Sequence, residues 1–169
     1  MANSRGLTGA MAISQTTPLR MPRYGGVARR WPGWEDRTVT IDALDILYVP
    51  SRDVEADLAF YRTVLGARVV FAVEAMSARV AEIALGRQGP RVVLADHLSG
   101  EAPILLSRVD DLEQALREFG SRGLELERRV ELPLGPCATF RTPGGQRLGL
   151  YERTRPEVDE HFAGRSDFG

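Results

Sequence analysis

Two stretches of the chain share one pattern: ILYVPSRDVEADL from Ile46 to Leu58 and ILLSRVDDLEQAL from Ile104 to Leu116. Each stretch is an apolar run followed by an aspartate and an amphipathic continuation. Because similarity at a fixed offset is the signature of a repeat, the pattern predicts one strand-helix-sheet unit used twice. A duplicated unit of this kind can close two half-sheets around one cavity.

The composition limits the kind of protein this is. A chain of 169 residues is long enough for one domain with a sizeable core and too short for two ordinary ones. Its 22 basic and 23 acidic residues give a formal net charge of -1, so we expect no binding to nucleic acid. The single Cys137 cannot form an intrachain disulfide, which favours a reducing cytoplasm. No run approaches the roughly 20 apolar residues of a membrane span, so we expect no membrane association.

Residues 1–38 differ in composition from the rest. They are rich in Ser, Thr, Gly, Pro and Arg and show no helical or strand periodicity, which predicts a flexible N-terminal arm. The arm contains Trp31 and Trp34, and exposed indoles usually find a surface to cover. The sequence supports two alternatives equally: the arm docks on the domain or on a partner, or it is mobile.

The first module, residues 39–100, is predicted to have the order βαβββ. Its first strand runs from Ile41 to Val49, and Asp53 begins a helix that ends near Leu65. Three short strands follow, at Arg68 to Val73, Arg79 to Leu85 and Arg91 to Ala95.

The second module, residues 101–155, repeats that order. A strand from Pro103 to Val109 leads into a helix from Asp110 or Asp111 to Ser121. The remaining strands are predicted at about 124–131, 137–141 and 147–152, the last two joined by a turn at Thr142 to Gly145. Residues 156–169 are predicted to form a short C-terminal helix and a tail on the surface.

Two phrases carry a resemblance to a known family: LYVPSRDVEADLAFYRTVLG (Leu47 to Gly66) and TPGGQRLGLYE (Thr142 to Glu152). With the paired βαβββ order, they resemble the vicinal oxygen chelate superfamily of glyoxalases, bleomycin resistance proteins and extradiol dioxygenases. The resemblance implies one domain at residues 39–155 with an α+β fold. That fold has a cupped eight-stranded mixed sheet, helices outside, a ligand cavity inside and often a homodimeric assembly.

Family members that bind a divalent metal hold it at four inward positions, which the motifs match to Ile46, Val93, Ile104 and Gly149. None of these four carries a donor atom. Asp45, Asp96 and Glu152 are near, but at odd offsets, and side chains alternate along a strand, so we expect them on the opposite face. The sequence therefore predicts no metal at the family's position and no cofactor.

The same alternation predicts which other side chains face inward. Together with the four metal positions, the predicted ligand-binding residues are Ile46, Tyr48, Val93, Ala95, Ile104, Leu106, Arg147, Gly149 and Tyr151. A mostly apolar wall with aromatic rings and a few polar groups is typical of a small-molecule site. Equally, such side chains can simply fill the interior of a small barrel.

Glu82 is the one candidate for a catalytic residue, because it lies within the apolar run VAEIAL (Val80 to Leu85). If it points inward, desolvation raises its pKa and makes it a possible acid or base; if outward, it is an ordinary polar strand residue. The chain has two histidines, His97 and His161, and neither is predicted on the inward face.

These observations favour a metal-free protein that binds a small, largely apolar or aromatic molecule, for sequestration or sensing of an antibiotic or metabolite. The alternative is a glyoxalase-like lyase or isomerase, or a dioxygenase, that uses a displaced metal or acid-base residues. A third possibility is an interaction module in which the arm with Trp31 and Trp34 docks on another chain.

Overall fold

The computed structural model describes residues 41–169. The first module contains β1 Ile41–Pro50, α1 Val54–Thr63, β2 Arg68–Ala75, β3 Ala78–Ala84 and β4 Arg91–Ala95. The second contains β5 Ile104–Val109, α2 Leu112–Ser121, β6 Leu126–Leu132, β7 Gly135–Arg141 and β8 Arg147–Glu152, and α3 Val158–Phe162 follows. The predicted arm, with Trp31 and Trp34, lies outside the described residues. Within them, no helix is both long and apolar enough to cross a membrane.

The strands form one mixed sheet in the order β2-β3-β4-β1-β5-β8-β7-β6. The pairs β1/β4 and β5/β8 are parallel, and the other neighbouring pairs are antiparallel. The order of the second module mirrors that of the first about the β1/β5 pair. The duplicated α+β fold with an eight-stranded mixed sheet is therefore confirmed, and the sheet is open, with β2 and β6 as its edges.

Each module begins its helix in the same way. The carboxylate of Asp53 accepts a hydrogen bond from the backbone N–H of Ala56 (3.0 Å), and that of Asp111 accepts one from Gln114 (2.8 Å). An N-terminal aspartate satisfies one of the helix's unpaired N–H groups, which is worth about 1 kcal/mol. The repeated Asp of the two opening stretches is thus a helix cap in both modules.

Helices α1 and α2 pack on the same side of the sheet, which we call the outer face; the opposite side is the inner face. The outer face is held by two buried apolar clusters, one for each module. They are Val54, Leu58, Ala67, Ala72, Ala81, Ile83, Val92 and Leu94 with α1, and Val109, Leu112, Ala115, Ala138 and Leu150 with α2. The prediction that the module helices lie outside the sheet is confirmed.

Residues 156–169, expected as a surface appendage, instead wrap around the edge strand β2; we call this segment the strap. Val158 packs against the inner face, and Phe168 packs against the outer-face cluster of α1. Between them, the N–H of Ala72 donates to the carbonyl of Arg165 (2.8 Å), and the N–H of Asp167 donates to that of Ala72 (2.7 Å). The strap thereby satisfies backbone groups that an edge strand leaves open.

Register shifts interrupt the pairing of β1 with β5, of β2 with β3 and of β6 with β7. They fall at Asp42 and Asp45 in β1, at Val70 in β2 and at Glu127 in β6. An extra residue in one strand is left out of the regular alternation of side chains, so the period of two does not predict its direction. This irregularity matters for Asp45.

Candidate functional site

One apolar cluster runs across the inner face of both modules. Its buried members are Ile46, Val93, Ile104, Leu106, Leu134, Cys137 and Tyr151. Partly buried side chains pack against it, namely Tyr48, Val80, Leu98, Val130, Leu132 and Val158. Six predicted ligand-binding residues are thus brought together: Ile46, Tyr48, Val93, Ile104, Leu106 and Tyr151.

The other three predicted residues have different surroundings. Ala95 is fully buried and is paired with Val80 in the register of β3 and β4. Gly149 lies against Leu106, since a Cβ built on Gly149 would be 2.4 Å from the Cδ2 atom of Leu106. Arg147 reaches toward the edge of the sheet, where its Nε lies 3.1 Å from Oε2 of Glu127. Arg147 is thus engaged in an ion pair at the rim.

The four positions that the sequence motifs match to the family's metal ligands, Ile46, Val93, Ile104 and Gly149, present hydrocarbon side chains and a glycine. Leu106 also fills the space that a side chain at position 149 would need. Within residues 41–169, no group of three or more His, Cys, Asp or Glu side chains is placed to hold a metal ion. Divalent cations need oxygen, nitrogen or thiolate donors in defined geometry, so these residues do not fit a metal of the family type.

Two tyrosine hydroxyls provide polar groups on this apolar face. The hydroxyl of Tyr48 lies 2.9 Å from Nε2 of His97, so His97 reaches the inner face, contrary to expectation. Burial, and then the charge of Asp96, raises the pKa of Tyr48 to about 12. Tyr151 is fully buried and donates to the carboxylate of Asp45, and burial followed by this hydrogen bond raises its pKa. Both phenols are therefore neutral donors near neutral pH.

The placement of Asp45 corrects the alternation argument. Its carboxylate was expected on the outer face, but it accepts from Tyr151 and lies 3.7 Å from Nη2 of Arg91. The register shift at Asp45 is the physical reason. Glu152 follows the expectation, since its Oε2 accepts from the backbone N–H of Leu112 at the start of α2 (3.0 Å).

Glu82 is paired with Val93 of the inner cluster in the register of β3 and β4, so its side chain lies on the inner face. Only 5% of Glu82 is exposed. Its two carboxylate oxygens lie 3.3 and 3.4 Å from Nη1 of Arg91. Burial raises the pKa of Glu82 above its ordinary value, and the Arg91 guanidinium offsets only part of that rise.

Arg91 joins this carboxylate to the strap. Its Nη1 also lies 3.4 Å from Oδ1 of Asp159, and Oδ2 of Asp159 accepts from Nη2 of Arg153. We call this set the arginine network: Asp45, Glu82, Arg91, Tyr151, Arg153 and Asp159. Sequence reasoning missed Arg91, although the alternation that predicted Val93 and Ala95 also applies to it. For Asp159 no sequence signal existed, because its contact with Arg153 depends on how the strap folds back.

An open cavity of about 260 Å³ lies between β6, β7 and the start of α2. Its walls are Leu112, Arg129, Val130, Glu131, Pro136 and Cys137. None of the predicted ligand-binding residues lines it. Burial raises the pKa of the Cys137 thiol in its wall to about 12, so that thiol is protonated and unreactive near neutral pH.

Solved structures with this fold belong to several kinds of protein. A methylmalonyl-CoA epimerase from Mycobacterium tuberculosis is 19% identical, with a TM-score of 0.59 over 73% of this chain and 95% of that one. A hypothetical protein from Bacillus halodurans C-125 is 16% identical, with a TM-score of 0.58 over 70% and 97%. A catechol 2,3-dioxygenase is 16% identical, with a TM-score of 0.52 over 67% and 42%. These likenesses show the fold.

The family itself is shown by sequence. No curated protein matches the chain. Residues 40–150, however, match the model of the Glyoxalase/Bleomycin resistance protein/Dioxygenase superfamily, which covers more than half of the chain. The duplicated modules and the mixed eight-stranded sheet agree with that match. The chain therefore belongs to the glyoxalase/bleomycin resistance protein/dioxygenase superfamily.

Proposed function

We propose that this protein binds a small, largely apolar or aromatic molecule on its inner face without a metal centre. The observation that carries the proposal is the continuous inner cluster, which is hydrocarbon at the family's metal positions and has two tyrosine hydroxyls beside it. Apolar walls with a few oriented polar groups are typical of small-molecule sites. Sequestration or sensing of an antibiotic or a metabolite fits such a surface.

The proposal is tested by calorimetric titration of the full chain with a panel of aromatic antibiotics and metabolites. We expect saturable binding of at least one compound, weakened about fivefold in Tyr48→Phe through loss of one hydrogen bond. Tyr61→Phe is the matched control, because Tyr61 packs against the outer-face cluster. Absence of saturable binding across the panel would contradict the proposal. So would a stoichiometric divalent metal, detected by elemental analysis of protein purified without chelators.

The burial of Glu82 favours a second candidate, an acid-base lyase or isomerase. A carboxyl with a raised pKa in a mostly apolar site is suited to transfer a proton near neutral pH. A direct test is deuterium uptake from D2O into methylmalonyl-CoA, the compound named for the epimerase of similar fold. Uptake that disappears in Glu82→Gln and persists in the exposed control Glu125→Gln would support this candidate, and no uptake in the unaltered chain would count against it.

We further propose that the protein is a cytoplasmic homodimer. An apolar patch at the end of α1 supports self-association: Phe60, Val64 and Leu65 are 51%, 64% and 51% exposed. Exposed patches of this kind often mark interfaces between proteins. Sedimentation of the full chain should give twice the monomer mass, and Val64→Glu should return it to the monomer. A monomeric unaltered chain would contradict the assembly.

A further inference from the structure

The strap places a carboxylate between two arginines on the inner face. Oδ1 of Asp159 lies 3.4 Å from Nη1 of Arg91, and Oδ2 accepts from Nη2 of Arg153. The side chains of Arg91, Arg153 and Asp159 are 22%, 31% and 37% exposed. The ion pairs are thus partly shielded from water, yet solvent reaches them, so a solute can exchange with Asp159.

Asp159 leaves one donor of Arg153 unused and contacts Arg91 only at long range. The buried Nε of Arg153 has no hydrogen-bond partner within residues 41–169. The nearest carboxylate oxygen to Arg91 is 3.3 Å away, longer than the roughly 2.8 Å of a good charged hydrogen bond. Asp159 gives Arg153 one oxygen. A free carboxylate in its place can present one oxygen to Nη2 and, once the side chains that close off Nε have shifted, a second oxygen to Nε.

The strap does not depend on Asp159 for its attachment. The ring of Phe162 packs on that of Phe71 at 5.4 Å between centroids, and the N–H of Gly164 donates to the carbonyl of Val70 (2.8 Å). Val158, next to Asp159, packs against the inner apolar cluster. The Asp159 carboxylate can therefore leave the arginines while the strap stays bound to β2, and the vacated position adjoins an apolar surface.

We infer that Arg91 and Arg153 form a carboxylate-binding site on the inner face, in which Asp159 acts as an internal competitor. The inference rests on the proposed function and names its ligand class: an apolar or aromatic molecule that bears a carboxylate. The apolar part lies on the inner cluster, and the acid group replaces Asp159 between the two guanidinium groups. Because Asp159 is tethered, its effective concentration at the arginines is on the order of millimolar, and it weakens the binding of an outside acid.

The experiment uses 1-naphthoate and its neutral analogue 1-naphthamide as probes. Their affinities are measured by calorimetry on the full chain, on Asp159→Asn and on Glu160→Gln, an exposed acid one residue along the strap. We expect Asp159→Asn to bind naphthoate about tenfold more tightly than the unaltered chain, since an intramolecular competitor is removed. Glu160→Gln should change nothing, and naphthamide should bind all three proteins equally.

A second substitution assigns the gain to the arginines. Arg153→Gln combined with Asp159→Asn should abolish the tenfold gain for naphthoate and leave naphthamide unchanged, while Asp159→Ala should reproduce the gain. Equal naphthoate affinity in the unaltered chain and Asp159→Asn, or a gain that survives Arg153→Gln, would overturn the inference. Naphthamide binding without that gain sinks the carboxylate site but leaves the proposed apolar site standing. If naphthoate affinity rises as expected in Asp159→Asn but no compound of the apolar panel binds, the carboxylate site stands and the proposed binding of neutral apolar molecules fails.

Discussion

Each module begins its last strand with an arginine, and the two arginines have different partners. Arg91 and Arg147 stand at equivalent places, as the first residues of β4 and β8. Arg91 pairs with Glu82, whose side chain is 6% exposed, whereas Arg147 pairs with Glu127, whose side chain is 31% exposed. The same position in a duplicated scaffold therefore holds a buried ion pair in one module and a rim ion pair in the other.

The two carboxyl groups respond to these surroundings in opposite directions. Burial raises the pKa of Glu82 more than Arg91 lowers it. Desolvation also raises the pKa of Glu127, but the hydrogen bonds and charges of Arg147 and Arg141 together outweigh it, so the net pKa is lowered. An arginine partner alone therefore does not set the direction of a carboxyl's pKa shift. The pKa of Glu82 is raised chiefly by burial and further by Asp159 and Asp45, whereas that of Glu127, which has two arginine partners, is lowered.

The largest effect is expected from Arg91→Met, which keeps an unbranched apolar stem and removes the charge. Glu82 would then be left buried without its guanidinium partner, and breaking a buried pair in this way costs about 3 kcal/mol of unfolding free energy. Urea denaturation monitored by circular dichroism measures the loss. A loss below about 1 kcal/mol, the range of exposed pairs, would erase the energetic distinction between the modules.

A smaller effect is expected where the modules meet, at the hydrogen bond from Tyr151 on β8 to Asp45 on β1. Tyr151→Phe should lower the unfolding free energy by about 1.5 kcal/mol, because it removes a hydrogen bond to the partly buried carboxylate of Asp45. In a double-mutant cycle with Asp45→Asn, the two losses should be non-additive by about 1 kcal/mol. Additive losses would mean that the two modules are not coupled through this bond.

The pH dependence of stability should have opposite signs for the two glutamates. The pKa of Glu82 in the folded protein is raised above its ordinary value of 4.5. Its stabilising contribution is therefore complete below pH 4.5 and is lost as the pH rises through the raised pKa. The contribution of Glu127 is present above 4.5 and is lost as the pH falls through its lowered pKa.

The measurement is the unfolding free energy of the unaltered chain, Glu82→Gln and Glu127→Gln between about pH 3 and pH 8. As the pH rises, the unaltered chain should become less stable relative to Glu82→Gln. Over the same pH range it should become more stable relative to Glu127→Gln. Two differences with the same sign would show that burial does not separate the glutamates.

The smallest effect is expected from Arg147→Met. Exposed ion pairs contribute less than about 1 kcal/mol, and salt screens them. The loss in unfolding free energy should shrink further at about 1 M NaCl, while that of Arg91→Met should change much less. Equal salt sensitivity of the two variants would indicate that both pairs are equally open to solvent.

Much of this arrangement could be predicted from the sequence. Turn residues mark the strand ends so clearly that β4, Arg91–Ala95, and β8, Arg147–Glu152, have the predicted bounds at both ends. The alternation of side chains correctly brought Ile46, Ile104 and Leu106 onto one face. Both results follow from local rules, which a single sequence contains.

The features that were missed depend on pairing between distant segments. The direction of Asp45 depends on a register shift against β5, and the place of Asp159 depends on the strap folding back over β2. For Glu82 the sequence left both directions open, since an apolar run around one carboxylate does not show which face is covered. The arginine network therefore emerges only once the sheet and the strap are assembled.

The strap also affects the order in which the protein can fold during synthesis. Strand β2 is synthesised before both the second module and the residues that pair with its free edge, around Arg165 to Asp167. Until those residues are made the Ala72 amide has no partner on that side, and a nascent chain exposes a strand edge that other chains can join. Pairing at the free edge of the first module must therefore wait until residues 165–167, which follow the whole second module, have been synthesised. Pulsed hydrogen exchange at Ala72 on stalled nascent chains would report when that edge closes.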